Sequence, residues 1–171
     1  MRICGTGHRP DKLGGYTKQA AQRLRRIATA WIEENKPDAV VSGMALGWDT
    51  ALAKAAIISG VPLIAAVPFK GQESRWPAES QDTFNKLLSV AKEIVYVSDG
   101  GYAAWKMQVR NRWMVDNTDA VLALYNGDLS GGTYNCVTYA SEKQKQIFNL
   151  WGQYAIHDQW VPRLQEAEQV C

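Results

Sequence analysis

At 171 residues, with 46% hydrophobic and 21% charged side chains, the chain has the size and composition of one soluble globular domain with a sizeable core. A net charge of +2 is too small to argue for attachment to nucleic acid or a membrane surface, and no apolar run reaches the ~20 residues of a membrane span. Three scattered cysteines, Cys4, Cys136 and Cys171, are odd in number and lack metal-ligand spacing, the usage of free or buried thiols in a reducing cytoplasm.

Met1-Arg2-Ile3-Cys4 leads straight into a strand, so no signal peptide is expected. That strand, Met1 to Gly5, runs into the glycine turn Gly5-Thr6-Gly7-His8-Arg9-Pro10. Thr17 then reads as a helix N-cap. Ala20, Leu24, Ile27, Ala28, Trp31 and Ile32 follow at 3.6-residue spacing, one apolar face of a long helix. Arg23, Arg25 and Arg26 lie mostly off that stripe and read as solvated charge. Asn35-Lys36-Pro37 ends the helix.

Asp38 to Val41 is a second strand. From Val40 to Asp49 the sequence reads as a strand end, a glycine turn and a helix start, with the helix continuing from Thr50 to Ile58. Amides at a helix start have no internal partner, and the helix dipole places partial positive charge there. Ser42, Gly43, Met44, Gly47 and Asp49 are thus candidates for an anion site, most simply for phosphate. An ordinary strand-to-helix turn with Asp49 near the N-cap is the alternative.

Pro62 to Val67 is a third strand, followed by a loop from Pro68 to Pro77 that carries Phe69, Gln72, Arg75 and Trp76. Phe84, Leu87, Leu88 and Ala91 mark a helix, Ile94 to Val97 a strand, Tyr102 to Asn117 a helix and Ala120 to Tyr125 another strand. Gly131-Gly132-Thr133 opens a further helix, and Gln146 to Trp151 forms the last strand. The expected organisation is one domain over residues 1–151 and a tail over 152–171 with room for a short helix. Uniformly apolar strands alternating with helices predict an α/β fold, a parallel sheet of about six strands covered on both faces. Ligands of such sheets bind beyond the carboxyl ends of the strands, where all three glycine turns are expected.

On the helix from Tyr102, Ala103, Met107, Met114 and Thr118 share a face that contains Arg110 and Asn111. A cation within an apolar stripe is costly unless paired or serving a site, which singles out Arg110 for bidentate anion binding. The alternative is an arginine at the stripe's edge, snorkelling to water or paired with a carboxylate. Trp105, Val109 and Trp113 form a second greasy side, expected to meet a partner subunit in a dimer or higher homo-oligomer.

Taken together, Gly5-Thr6-Gly7-His8-Arg9-Pro10-x-Lys12-Leu13, Ser42-Gly43-Met44-Ala45-Leu46-Gly47-x-Asp49, Pro68-Phe69-x-Gly71-Gln72-x-x-x-Trp76, Arg110-Asn111-Arg112-x-Met114-Val115-Asp116 and Gly131-Gly132-Thr133 resemble the YpsA-like branch of the SLOG superfamily. The resemblance implies a Rossmann-like sheet and a nucleotide or nucleotide-derived ligand. The superfamily also contains LOG phosphoribohydrolases, which cleave nucleotide N-glycosidic bonds, and DprA, which binds single-stranded DNA. LOG enzymes carry Met-x-x-Arg-Lys-x-x-Met and then Pro-Gly-Gly-x-Gly-Thr-x-x-Glu. Here Met107, Arg110 and Met114 match, Asn111 replaces the lysine, and the glutamate position falls on Thr138. The group expected to stabilise an oxocarbenium-like ribose or activate water is therefore missing. Asp49, Glu73, Glu79 and Asp116 are substitute candidates, each with a solvated or capping alternative.

The candidate catalytic residues are Arg110, His8 and Asp49. His8 could donate to phosphate, act as an acid near neutral pH, or serve only the turn. Trp76 could stack on a base, Gln72 read its edge and Arg75 reach a phosphate, unless Trp76 simply anchors the following helix. Asn135 could touch ribose hydroxyls or cap its helix. With Gly5, Thr6, Gly7, Arg9, Phe69, Asn111, Gly131, Gly132 and Thr133, these residues form the expected ligand site. A nucleotide-type ligand is expected, with no other cofactor, no metal and no membrane partner, and nucleic acid enters only as the third reading. The expected role is a cytoplasmic nucleotide-binding sensor or regulator, with an N-glycosidase as the alternative and single-stranded DNA binding third.

Overall fold

The structure is a computed structural model and describes residues 1–156. Six strands form one parallel sheet: β1 (Arg2–Gly7), β2 (Ala39–Ser42), β3 (Leu63–Val67), β4 (Glu93–Tyr96), β5 (Ala120–Leu124) and β6 (Gln146–Asn149). Their order is β4-β3-β2-β1-β5-β6. The helices are α1 (Lys18–Asn35), α2 (Trp48–Ile58), α3 (Ala78–Val90), α4 (Ala104–Asp116) and α5 (Gly131–Glu142).

Strand residues alternate between two cores because successive side chains leave opposite faces of a sheet. Ile3, Val40, Leu63, Ala65 and Leu122 meet α1, α2 and α3 in one core. Cys4, Val41, Ile64, Ala66 and Val121 meet Met114 and Val115 of α4 and Cys136 and Ala140 of α5 in the other. This two-sided burial is why β3 and β5 are apolar at every position. The expected Rossmann-like α/β fold is therefore present.

α1 begins where the Thr17 hydroxyl accepts a hydrogen bond from the Ala20 amide at 3.1 Å. It ends on Lys36 in the left-handed region at φ 47°, one residue before Pro37. Arg23 is not the solvated charge its position suggests: its guanidinium lies 3.9 Å from the Tyr154 ring centroid. β6 stops at Asn149 rather than reaching Trp151, because the Asn149 side-chain oxygen accepts from the amides of Tyr125 and Trp151 at 3.1 and 3.2 Å. Residues 151–156 are helical, and the remainder of the expected tail lies outside the described residues.

The chain walks from β1 outward to β4, then returns to place β5 on the other side of β1. Between β1 and β5 the direction of winding reverses, which opens a crevice at the carboxyl ends of the strands. Trp48 forms one wall of this region. Its indole Nε1–H donates to the Leu122 carbonyl at 3.2 Å, so the ring crosses the face of β1. A Cβ built on Gly7 would lie 2.5 Å from Trp48 Cβ, and one on Gly5 would lie 2.4 Å from Leu52 Cδ2. Gly5 and Gly7 are thus demanded by the packing of α2.

Gly7→Ala is expected to lower stability by roughly 1–3 kcal/mol through overpacking. Gly101→Ala, where an added Cβ meets nothing within 4 Å, should change it little. Paired urea denaturation curves measure both effects.

Candidate functional site

A cleft of roughly 260 Å³ lies at the reversal point. Its walls come from the end of β1 and the following turn (Gly5, Thr6, Gly7, His8, Arg9), from Ala45 and Asp49, from α4 (Met107, Gln108, Arg110, Asn111) and from the start of α5 (Ser130 to Thr133). Asp11 and Lys12 complete the rim. Thus Gly5, Thr6, Gly7, His8, Arg9, Asp49, Arg110, Asn111, Gly131, Gly132 and Thr133, distant in sequence, converge on one space.

Arg110 is 5% exposed, on the α4 face that packs inward. Its Nε–H donates to Asn111 Oδ1 at 2.9 Å, and Nη1 donates to the Gly43 carbonyl and lies 3.8 Å from Asp49 Oδ2. Nη2 is left without a partner among the described residues, at the cleft wall. Asn111 also donates from Nδ2 to the Gly132 carbonyl at 3.4 Å, so it links Arg110 to α5. A lysine could not accept the Arg110 bond. Burial favours the neutral forms of both Arg110 and Asp49, and the attraction between them opposes it. The net effect holds Asp49 above the ordinary carboxylate range.

At α5 the N-cap Ser130 makes no side-chain capping bond. The helix therefore presents uncapped amides to the cleft beside Gly131 and Gly132. The α2 start differs: Asp49 turns its own carboxylate back to the Ala45 amide at 3.4 Å. The anion at that helix end is supplied by the protein.

His8 is buried at the cleft wall. Its Nε2 lies 2.7 Å from Asn126 Oδ1, and Asn126 Nδ2 donates to Asp128 Oδ2 at 2.9 Å. The Asp128 amide also donates to Asn126 Oδ1, which fixes the Asn126 orientation, and the Asn126 amide approaches the same His8 Nε2 at 3.2 Å, so the role of Nε2 depends on the ring tautomer. Lys12 pairs with Asp128 at 2.5 Å, so the turns after β1 and β5 are tied together twice.

Several expected residues stand elsewhere. Ser42 is buried and accepts from the Met44 amide while donating to the Asp49 carbonyl, bracing the turn. Met44 lies in the core, and Gly43 and Gly47 are not in the cleft wall. Phe69 packs edge-on to Tyr102 at 5.9 Å, and Gln72 donates from Nε2 to the Gly43 carbonyl at 3.5 Å. Trp76 is the anchor rather than a stacking platform: it packs edge-on against Phe84 of α3 at 5.5 Å, and Arg75 is exposed. Asn135 is exposed on α5 and away from the wall. Of the substitute acids, Glu73, Glu79 and Asp116 lie outside the cleft wall, whose acids among the described residues are Asp11 and Asp49. Asp116 instead accepts from the Tyr139 hydroxyl at 3.0 Å.

Sequence reading missed Asp11, Lys12, Ala45, Met107, Gln108 and Ser130 as wall residues. Gln108 and Ser130 carry no distinguishing signal, whereas Asp11 beside Lys12 was legible as part of the first turn. Cys4 and Cys136 are buried free thiols. Burial pushes Cys136 up to about 11, so neither acts as a thiolate near neutral pH. No group of three metal-ligating side chains occurs among the described residues.

Burial holds His8 below the ordinary histidine range, with the Lys12 charge adding and the Asn126 hydrogen bond opposing. The folded state therefore favours the neutral ring. This contribution is complete above the unfolded value near ~6.5 and is lost as the pH falls toward the folded value. A carbon-13 NMR titration should give an imidazole midpoint below ~6.5. In His8→Gln, the fall in melting temperature from about pH 7 to 5 should be shallower. A midpoint at or above the free-histidine value would contradict the burial argument.

Similarity to known proteins agrees with this architecture. The SPbeta prophage-derived protein YoqJ of Bacillus subtilis is 37% identical over 90 residues, covering 46% of this chain and 52% of YoqJ. A UPF0398 protein of Bacillus thuringiensis is 24% identical over 159 residues, covering 86% of this chain and 85% of the relative. DNA processing protein A (DprA) of Streptococcus pneumoniae superposes with a TM-score of 0.64 at 20% identity, over 86% of this chain and 49% of that one. DprA of Helicobacter pylori, a protein with a single-stranded DNA binding mode, gives 0.62 at 20% identity, over 87% and 64%. The chain thus spans about half of YoqJ and of the pneumococcal DprA, and the DprA likeness is one of fold. The family described as YspA SLOG (YpsA) matches residues 3–154, and the chain belongs to that family.

Proposed function

We propose that the cleft binds a phosphorylated nucleotide-class small molecule and that the protein is a cytoplasmic nucleotide-binding sensor or regulator. The observation that carries this reading is Arg110, a buried cation whose Nη2 has no partner among the described residues where the uncapped start of α5 opens. A guanidinium and helix-start amides together favour a phosphoryl group. Arg9 and Lys12 add positive charge at the rim.

Binding is favoured over N-glycoside cleavage by the acids present. The position taken by glutamate in LOG enzymes is Thr138, and the buried wall carboxylate, Asp49, is occupied with Arg110 and the Ala45 amide. Single-stranded DNA, which the Helicobacter pylori DprA binds, is the competing ligand class. The cleft's own charge is modest: Arg9, Lys12 and Arg110 face Asp11 and Asp49.

Calorimetry with nucleoside mono- and diphosphates and ADP-ribose should find a ligand, and Arg110→Ala should weaken it by ~10–100-fold. Absence of binding below millimolar, or an Arg110→Ala variant that binds unchanged, overturns the reading. Release of free base from any monophosphate would move the assignment to a hydrolase. Salt-sensitive binding of an oligonucleotide alone would move it to DNA.

Of the expected second side of α4, Trp105 is 60% and Val109 37% exposed, whereas Trp113 is partly buried against the core, so the proposed assembly surface is Trp105 and Val109 alone. A homo-oligomer through this side should appear in light scattering at micromolar concentration. Trp105→Glu should return it to the monomer mass, and a wild type that is already monomeric rejects the proposal.

A further inference from the structure

His8 stands in the cleft wall with 7% of its surface exposed, and its ring is held from several sides. The Tyr125 ring lies 6.0 Å away, and the Trp151 ring meets it edge-on at 5.9 Å. Nε2 is turned to Asn126, with Oδ1 at 2.7 Å and the backbone amide at 3.2 Å. Asn126, Tyr125 and Trp151 all lie outside the cleft wall, so the ring meets the cleft on the side away from Nε2. Nδ1 has no hydrogen-bond partner among the described residues and is not sealed from solvent.

His8 forms no ion pair with a described residue. Asp128 reaches it through Asn126, but Asp128 Oδ2 already takes the Lys12 ammonium and Asn126 Nδ2. Asp11, Lys12 and Arg9 stand in its own turn, while Asp49 of α2 and Arg110 of α4 share the cleft. In this setting a neutral ring serves one side at a time. With hydrogen on Nε2, Asn126 Oδ1 is satisfied and Nδ1 offers the cleft a lone pair. With hydrogen on Nδ1 the cleft gains a donor, but two acceptors, Nε2 and Oδ1, then face each other at 2.7 Å. The imidazolium donates both ways. Burial opposes that charged form until an anion enters beside it.

We propose that a phosphoryl ligand enters the cleft together with a proton, which His8 takes from solvent and holds at Nδ1 as a donor to a ligand oxygen. The inference rests on the reading of the cleft as a phosphoryl site and adds the group that makes its affinity rise as the pH falls. Arg110 and the α5 start contribute positive character at any pH, whereas the His8 charge is acquired on binding. An anion beside the ring raises its midpoint, and by reciprocity the protonated ring binds the anion more tightly by the same factor. Asp49 is the other group in the cleft wall to be separated from this effect, because a carboxylate that loses its charge also favours an anion.

Sulfate is the probe, because it matches a phosphoryl group in shape and keeps one charge state across the window of about pH 5–8 in which histidine titrates. It is titrated into the full chain, labelled with carbon-13 and nitrogen-15, at several pH values and followed by NMR. Saturable amide shifts are expected at Gly131 and Gly132. Saturating sulfate should raise the His8 midpoint by about one pH unit, with an affinity gain of at most ~10-fold on acidification. That midpoint is read on the wild type and needs no variant. His8→Gln, whose amide can still donate toward Asn126 Oδ1, should bind sulfate and lose the pH dependence, whereas Arg110→Ala should weaken binding at every pH and keep it. A pH dependence that survives in His8→Gln belongs to Asp49 and overturns the proposal. So does a His8 midpoint unmoved by sulfate that shifts Gly131 and Gly132, and in both cases the phosphoryl reading stands. No shift at Gly131 and Gly132 up to ~50 mM sulfate also overturns the proposal, and the nucleotide calorimetry then decides the phosphoryl reading by itself.

Discussion

The burial of one guanidinium constrains the carboxyl edge of this sheet. Arg110 joins α4 to the β2–α2 turn through the Gly43 carbonyl and Asp49, and to α5 through Asn111 and the Gly132 carbonyl. An uncompensated buried charge costs several kcal/mol, so each of these partners is fixed by the presence of the charge. The turn has adapted to it sterically as well. A Cβ on Gly43 would lie 2.1 Å from Arg110 Nη1 and 2.7 Å from Asp49 Oδ2, so no larger residue fits without displacing the pair. What remains without a partner among the described residues is Nη2, on a side chain that lines the cleft together with the start of α5.

Three glycine turns that look alike in sequence have three different physical roles. Gly131-Gly132 begins an uncapped helix and leaves its amides open. The turn from Ser42 to Gly47 is closed on itself by Ser42 and Asp49 side chains. Gly5 and Gly7 make room for Leu52 and Trp48 to lie on β1. Composition cannot separate these cases, because glycine marks a close approach without saying whether a ligand, a helix or a neighbouring side chain approaches. The distinction depends on long-range packing, such as Trp48 reaching the Leu122 carbonyl across β1.

The same limit explains what was legible. Element order and parallel pairing followed from local signals: Thr17 as a cap, the 3.6-residue stripe of α1, and apolar runs at β3 and β5. Arg110 stood out because a charge inside an apolar stripe conflicts with its helix. Trp76 gave no such conflict, since an aromatic residue before a helix serves a stacking site or an anchor equally well, and Phe84 decides for the anchor. Lys106 escaped notice because its burial depends on the carbonyls of Asp99 and Gly101, which accept from its ammonium. The end of β6 turned on Asn149, whose side chain closes the strand through bonds to Tyr125 and Trp151 that no local pattern encodes.

Parallel β-α winding places every helix start at the same edge of the sheet, where positive ends of helix dipoles accumulate. The molecule divides that edge with the β2–α2 turn. On the cleft side, Asp49 neutralises the start of α2 and holds Arg110, so the remaining positive character is concentrated at α5 and Nη2. On the other side no buried carboxylate plays that part among the described residues: Lys18, Arg25 and Lys54 share the wall of a second cavity with the exposed Glu79. Moving Asp49 across the turn would reverse the asymmetry, leaving Arg110 buried and uncompensated. The placement of this one carboxylate thus sets where the positive charge on the cleft side is matched from within, at Arg110 and the Ala45 amide, and where it is left open, at the uncapped start of α5.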